Sequence, residues 1–196
     1  MIFVLLLIST LASAAERMTA SNFRSDMRKL WEDHITYTRN FIISFAGNLP
    51  DQDAVSARLL QNQTDIGDAI KPFYGDAAGK QLTGLLRDHI LGAVEILKAA
   101  KAGDKPATDT AIHKWQANAD QIASFLSNAN PKNWPADTMK SEMQKHLSLT
   151  LNEATDRLGG KYADDISDYD KVHLHILALA DVLSDGIMKQ FPQQFK

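Results

Sequence analysis

The chain has 196 residues, 44% hydrophobic and 23% charged, with 21 basic against 24 acidic side chains and no cysteine. This composition excludes a disordered or collagen-like chain, and a net charge of -3 leaves no broad electrostatic footprint for nucleic acid. Without cysteine there are no disulfide frameworks, thiolate metal sites, covalent haem attachment or cysteine nucleophiles, which leaves histidine as the main candidate ligand for a transition metal.

Residues 1–15 read as a signal peptide, with residues 16–196 as a single helical-bundle domain. The leader is uncharged, apolar from Ile2 to Ile8, and ends in Ala12, Ser13, Ala14 and Ala15, which resemble a cleavage site. Its n-region lacks the usual Lys or Arg. The alternative is a buried first helix over residues 2–11. A membrane-spanning helix needs roughly 20 apolar residues, and this run turns polar at Ser9 and Thr10. The expectation is therefore an exported protein, periplasmic or extracellular, with no stable membrane span after cleavage.

The remaining chain is punctuated at Gly47-Asn48-Leu49-Pro50, Tyr74-Gly75, Gly103-Asp104-Lys105-Pro106, Asn128 through Pro135, and Gly159-Gly160. Between these breaks apolar residues recur every three or four positions, which is helical spacing, and no stretch keeps a period of two. Ser21, Asp51 and Pro135 with Asp137 suit helix starts. The pattern predicts an all-α, up-and-down bundle of about six helices, arranged as three degenerate helical hairpins. The match between hairpins centres on His34, His89 and His146. Each is followed by an aliphatic residue (Ile35, Ile90, Leu147) and, four residues later, by Thr38, Ala93 or Thr150. In the partner helices Asn62 lies 28 residues after His34, and Asn118 lies 29 after His89. The third hairpin offers His173 and His175 instead.

These residues place a polar layer, His34, Asn62, His89, Asn118, His146 and His173, within otherwise apolar stripes. Buried unpaired, such groups cost a few kcal/mol each, about 1–3 by mutational measures. Three readings follow. The layer satisfies itself and fixes helix pairing; or two or three of His34, His89, His146 and His173 share zinc, copper, nickel or iron, with Glu153 seven residues after His146 as a carboxylate donor; or the layer lines a small-molecule pocket. There is no HExxH, no Glu-x-x-His and no histidine pair at i and i+4, so neither a zincin nor a ferritin-like di-iron site is encoded. His173 and His175 diverge by about 200° on a helix and cannot chelate together. Asn62-Gln63-Thr64 matches a glycosylation acceptor but sits inside a predicted helix. No Ser, His and acid set or phosphate-binding loop can be assembled, so the expected activity is non-enzymatic, with an unidentified protein or small ligand as partner.

Leu30-Trp31-Glu32-Asp33-His34 with Thr38-Arg39, then Arg58 to Gln63 and Asp65-Ile66-Gly67, resemble an uncharacterised family of small bacterial exported or envelope proteins. The resemblance extends through Asn118-Ala119-Asp120 and the segment 181–191. It implies a bacterial, extracytoplasmic helical protein and supplies no ligand or catalytic residues.

Overall fold

The computed structural model describes residues 18–196, so the leader expected over residues 1–15 lies outside the described residues. Five α-helices follow one another up and down: α1 (Ala20–Gly47), α2 (Gln52–Lys101), α3 (Lys105–Ala129), α4 (Ala136–Leu158) and α5 (Tyr162–Gln190), with a short 3-10 turn at Pro192–Gln194. Each helix packs on its neighbours in sequence, and α1 also packs on α5, which closes the bundle.

The expected six helices are five. The second and third merge into α2, because no loop intervenes at Tyr74-Gly75. The break is a single residue: Gly75 has φ 84° and ψ 168°, a region essentially restricted to glycine, three residues after Pro72. The chain reverses there. Gly67 and Gly79 face each other so closely that a Cβ on Gly67 would stand 2.6 Å from the Gly79 carbonyl oxygen. A straight helix would separate these positions by about 18 Å, so residues 52–74 and 76–101 are two antiparallel arms.

Local signals account for the other ends. Thr19, rather than the expected Ser21, caps α1 by accepting from the Asn22 N–H at 3.1 Å, and Asp104 caps α3 by accepting from the Ala107 N–H at 3.0 Å. Asn48, in the left-handed region, ends α1. The α3–α4 connection is anchored on α5. Asn130 Nδ2 donates to the Gly186 carbonyl at 2.9 Å, and Trp134 Nε1 to that of Val182 at 3.2 Å.

The core runs the length of the bundle. At one end Phe23, Phe73, Phe191 and Phe195 form an aromatic floor. Met18 and Phe195 bridge beneath it. At the other end Phe41, Ile42, Phe45, Leu59, Ile90, Leu97 and Ala154 make a second apolar cluster. The histidine layer lies between them.

Candidate functional site: a histidine layer in the bundle core

α1, the second arm of α2, and α4 run in the same direction, alternating around the bundle with the elements that run the other way. They carry His34, His89 and His146, each no more than 4% exposed. Their rings form a triangle with centres 6.5 Å (His34–His89), 5.8 Å (His34–His146) and 5.8 Å (His89–His146) apart. His175 of α5 stacks beside His146 at 6.0 Å. Trp115 stacks on His89 at 5.0 Å and Trp31 meets His34 edge-on at 5.9 Å.

The elements that run the other way supply the partners. Asn62 Nδ2 donates to the Leu30 carbonyl at 2.9 Å, and Asn118 Nδ2 to the Leu85 carbonyl at 3.0 Å, each the residue four before its hairpin's histidine. On α5, His175 lies 29 residues after His146; its Nδ1 is 3.5 Å from Glu142 Oε2, and the Glu142 backbone is a further polar neighbour. Glu142 in turn stands four residues before His146.

His173, expected in this layer, is outside it: its ring is a third exposed and its Nε2 lies 2.9 Å from Glu32 Oε1. The reason is a phase error on α5. Spacing by three and four places Ile166, Tyr169 and His173 on one stripe, but that stripe leads outward here, Ile166 being 55% exposed. The buried face runs through Asp165, Asp168, Val172, His175 and Leu179. Asp165 and Asp168 disguise that face because acids rarely line a core without a partner.

Glu153 is buried on α4, and its carboxylate is engaged by Arg39. Arg39 Nη1 donates to Glu153 Oε1 at 2.8 Å and to Asp165 Oδ1 at 2.8 Å. The guanidinium also lies over the Tyr169 ring, 4.6 Å from its centre, and Arg157 Nη1 stands 3.4 Å from Asp165 Oδ2. Burial, only partly offset by Arg39, pushes the Glu153 carboxyl up to about 7. Glu153 thus belongs to a separate ionic cluster that sequence reasoning missed. Its signal was Arg39, five residues after His34 and on a largely buried helix.

Each imidazole keeps a nitrogen uncommitted. His89 Nδ1 lies 3.1 Å from Asn118 Oδ1, so this nitrogen donates and Nε2 carries the lone pair. His34 Nδ1 lies 3.4 Å from Gln63 Nε2, while Gln63 Oε1 is buried without a partner. His146 has no hydrogen bond at either nitrogen among the described residues, and its Nδ1 is a buried orphan. Desolvation holds all three neutral: it lowers His34 to about 3 and His89 to about 4, and takes His146 well below its usual value, with repulsion from the neighbouring rings adding to the effect at His34 and His146.

One helical turn beyond the rings, the small residues Thr38, Ala93 and Thr150 leave a cavity of about 30 Å³, walled by Phe41, Ile90, Trp115 and Leu151. That is room for about two water-sized groups. Thr150 Oγ1 on its wall is buried and unpartnered. A groove of about 500 Å³ between α3 and α4 shares Trp115 and Leu151 with this cavity, which brings it to within one side chain of the surface.

As the side chains stand, no group of three or more His, Asp or Glu among the described residues is drawn together around a metal position. No helix among them is long and apolar enough to cross a membrane. The chain matches no family model, no curated protein and no solved structure.

Proposed function

We propose that the chain is an exported, non-enzymatic binding protein, a bundle of three degenerate hairpin copies that holds a small ligand in its core at the histidine layer. The observation carrying this reading is the set of buried polar atoms left without partners in and beside the histidine layer: His146 Nδ1, Gln63 Oε1 and, on the wall of the adjoining cavity, Thr150 Oγ1. Each costs about 1–3 kcal/mol, and a layer serving only to fix helix pairing would satisfy them or replace them with apolar atoms. Pairing already has its own devices in Asn62 and Asn118, whose amides bond across each hairpin. The imidazoles are thus free to serve a ligand.

Export is supported by the apolar run and small-residue ending of residues 1–15. The resemblance to exported bacterial helical proteins agrees with it. The repeat is supported by the equivalent bonds of Asn62 and Asn118, with His175 in the third place.

The test is His146→Leu, which keeps volume and removes the orphan nitrogen. A residue retained for binding is expected to burden the ligand-free fold, so the variant should be more stable by about 1 kcal/mol in denaturant melts. A loss of about 1 kcal/mol or more would assign the imidazole to the fold and defeat the reading.

A further inference from the structure

Three neutral imidazoles on alternate, parallel-running helices meet at one level of the core. Neutral nitrogen lone pairs are what borderline transition-metal ions select, and ring nitrogens fixed by a second partner are the usual arrangement around such ions. His89 already has this form, with Nδ1 held by Asn118. His34 attains it when the Gln63 amide rotates to turn the unpartnered Oε1 toward Nδ1, a rotation that gives up the Gln63 Nε2 bonds to the Leu59 carbonyl and Asn62 Oδ1. His146 has no hydrogen bond to give up.

The distances are close to those required. Three imidazoles bound to one tetrahedral ion through bonds of about 2 Å have ring centres roughly 5 Å apart. Here the centres are 5.8 to 6.5 Å apart, so closing the triangle draws each ring centre inward by less than about 1 Å, together with rotation of the rings to aim one nitrogen of each at a common point. The cavity at Thr38, Ala93 and Thr150 lies one helical turn beyond the rings and leaves space next to the layer.

We propose that His34, His89 and His146 close on one divalent transition-metal ion, zinc being the simplest, with the fourth coordination position turned toward the cavity at Thr150. This deepens, and rests on, the core-ligand reading above. Glu153 is not a ligand, because Arg39 holds it. His173 is not one either, because it lies at the surface on Glu32.

The full chain, purified without a tag and treated with chelator, is titrated with cobalt and then zinc. Expected are one equivalent of bound cobalt with visible bands of a tetrahedral site, displacement by zinc, and a rise of several degrees in Tm. In ¹⁵N-labelled protein, zinc should shift the ring nitrogens of three histidines and leave those of His173 unchanged. His34→Gln, His89→Gln and His146→Gln should each weaken zinc binding at least tenfold, Asn118→Ala about tenfold through loss of the group that orients His89, and His173→Gln should not change it.

No saturable cobalt or zinc binding, or ring shifts at other histidines, would overturn the metal. A variant that fails to fold leaves the decision to the ring shifts of the parent. If metal fails while His146→Leu still stabilises the chain, the core-ligand reading survives with a non-metal ligand. If both fail, the layer belongs to the fold alone.

Discussion

His89 shows how one side chain can serve packing and recognition at once. It is 3% exposed, stacks on Trp115, donates from Nδ1 to Asn118 Oδ1, and its own carbonyl accepts from Trp115 Nε1 at 2.9 Å. His89→Ala removes volume as well as the hydrogen bond and should cost about 2–4 kcal/mol. His89→Leu refills the space and should cost about 1–2 kcal/mol, since Asn118 keeps its bond to the Leu85 carbonyl. Paired denaturant midpoints measure the difference, and equal losses would mean that the ring is not packed as described. Arg39 behaves differently. It faces Glu153 and Asp165, both at most 1% exposed, so Arg39→Met should cost about 3–5 kcal/mol by leaving Glu153 buried without its cation and Asp165 with only the more distant Arg157. Supplying Glu153→Gln in the same chain should recover part of that loss in a thermal melt. No recovery would place the cost in the packing of Arg39 on Tyr169 rather than in charge.

Among the elements, α2 is decided by three glycines with different duties. Gly75 turns the chain at positive φ; Gly67 and Gly79 let the two arms touch. A Cβ at Gly67 would fall 2.0 Å from Thr83 Oγ1 as well as on the Gly79 carbonyl, whereas at Gly75 nothing lies within 4 Å. Gly67→Ala therefore pushes the arms apart and should cost more than Gly75→Ala, whose penalty is backbone strain of about 1–3 kcal/mol. Comparing the two by chemical denaturation tests this order, and a milder effect at Gly67 would contradict the close approach. The sequence made this break legible as Tyr74-Gly75 but not its form, because a one-residue reversal leaves the same signature as a short loop. The same contrast runs through the site. His34, His89, His146, Asn62 and Asn118 could be found from spacing, since each lies on an apolar stripe. His175 could not be found that way, because the buried face of α5 begins with Asp165 and Asp168. The repeat register, 29 residues on from His146, pointed to it more reliably than hydrophobicity did. Gln63 was hidden because polar neighbours at successive positions rarely both face inward. It does so here by bonding the Leu59 carbonyl and Asn62 Oδ1.

Across the whole molecule these groups set how stability depends on acidity. His34, His89 and His146 are neutral in the fold and have folded values below their unfolded value near 6.5. Unfolding in the window between those values takes up protons, so their contribution is fully present above pH 6.5 and is lost as pH falls below it. Each contributes a slope of up to about 1.4 kcal/mol per pH unit. Glu153 has the opposite sign. Its folded value of about 7 lies above its unfolded 4.5, so unfolding releases its proton in that interval and stability falls as pH rises through it. Between pH 4.5 and 6.5 the two effects oppose each other, with these three histidines and His175, also lowered by burial, against one carboxyl. The parent should therefore lose stability on acidification through this window, and Glu153→Gln should lose it more steeply by up to about 1.4 kcal/mol per unit, because the opposing group is gone. Denaturant melts at half-unit steps from pH 4 to 8 resolve the two slopes. With zinc bound to the histidines the acid loss should steepen further, because protons then compete with the ion for the same lone pairs. A metal-independent profile parallel to that of Glu153→Gln would show that the carboxyl exerts no opposing effect and that the ion does not sit on the rings.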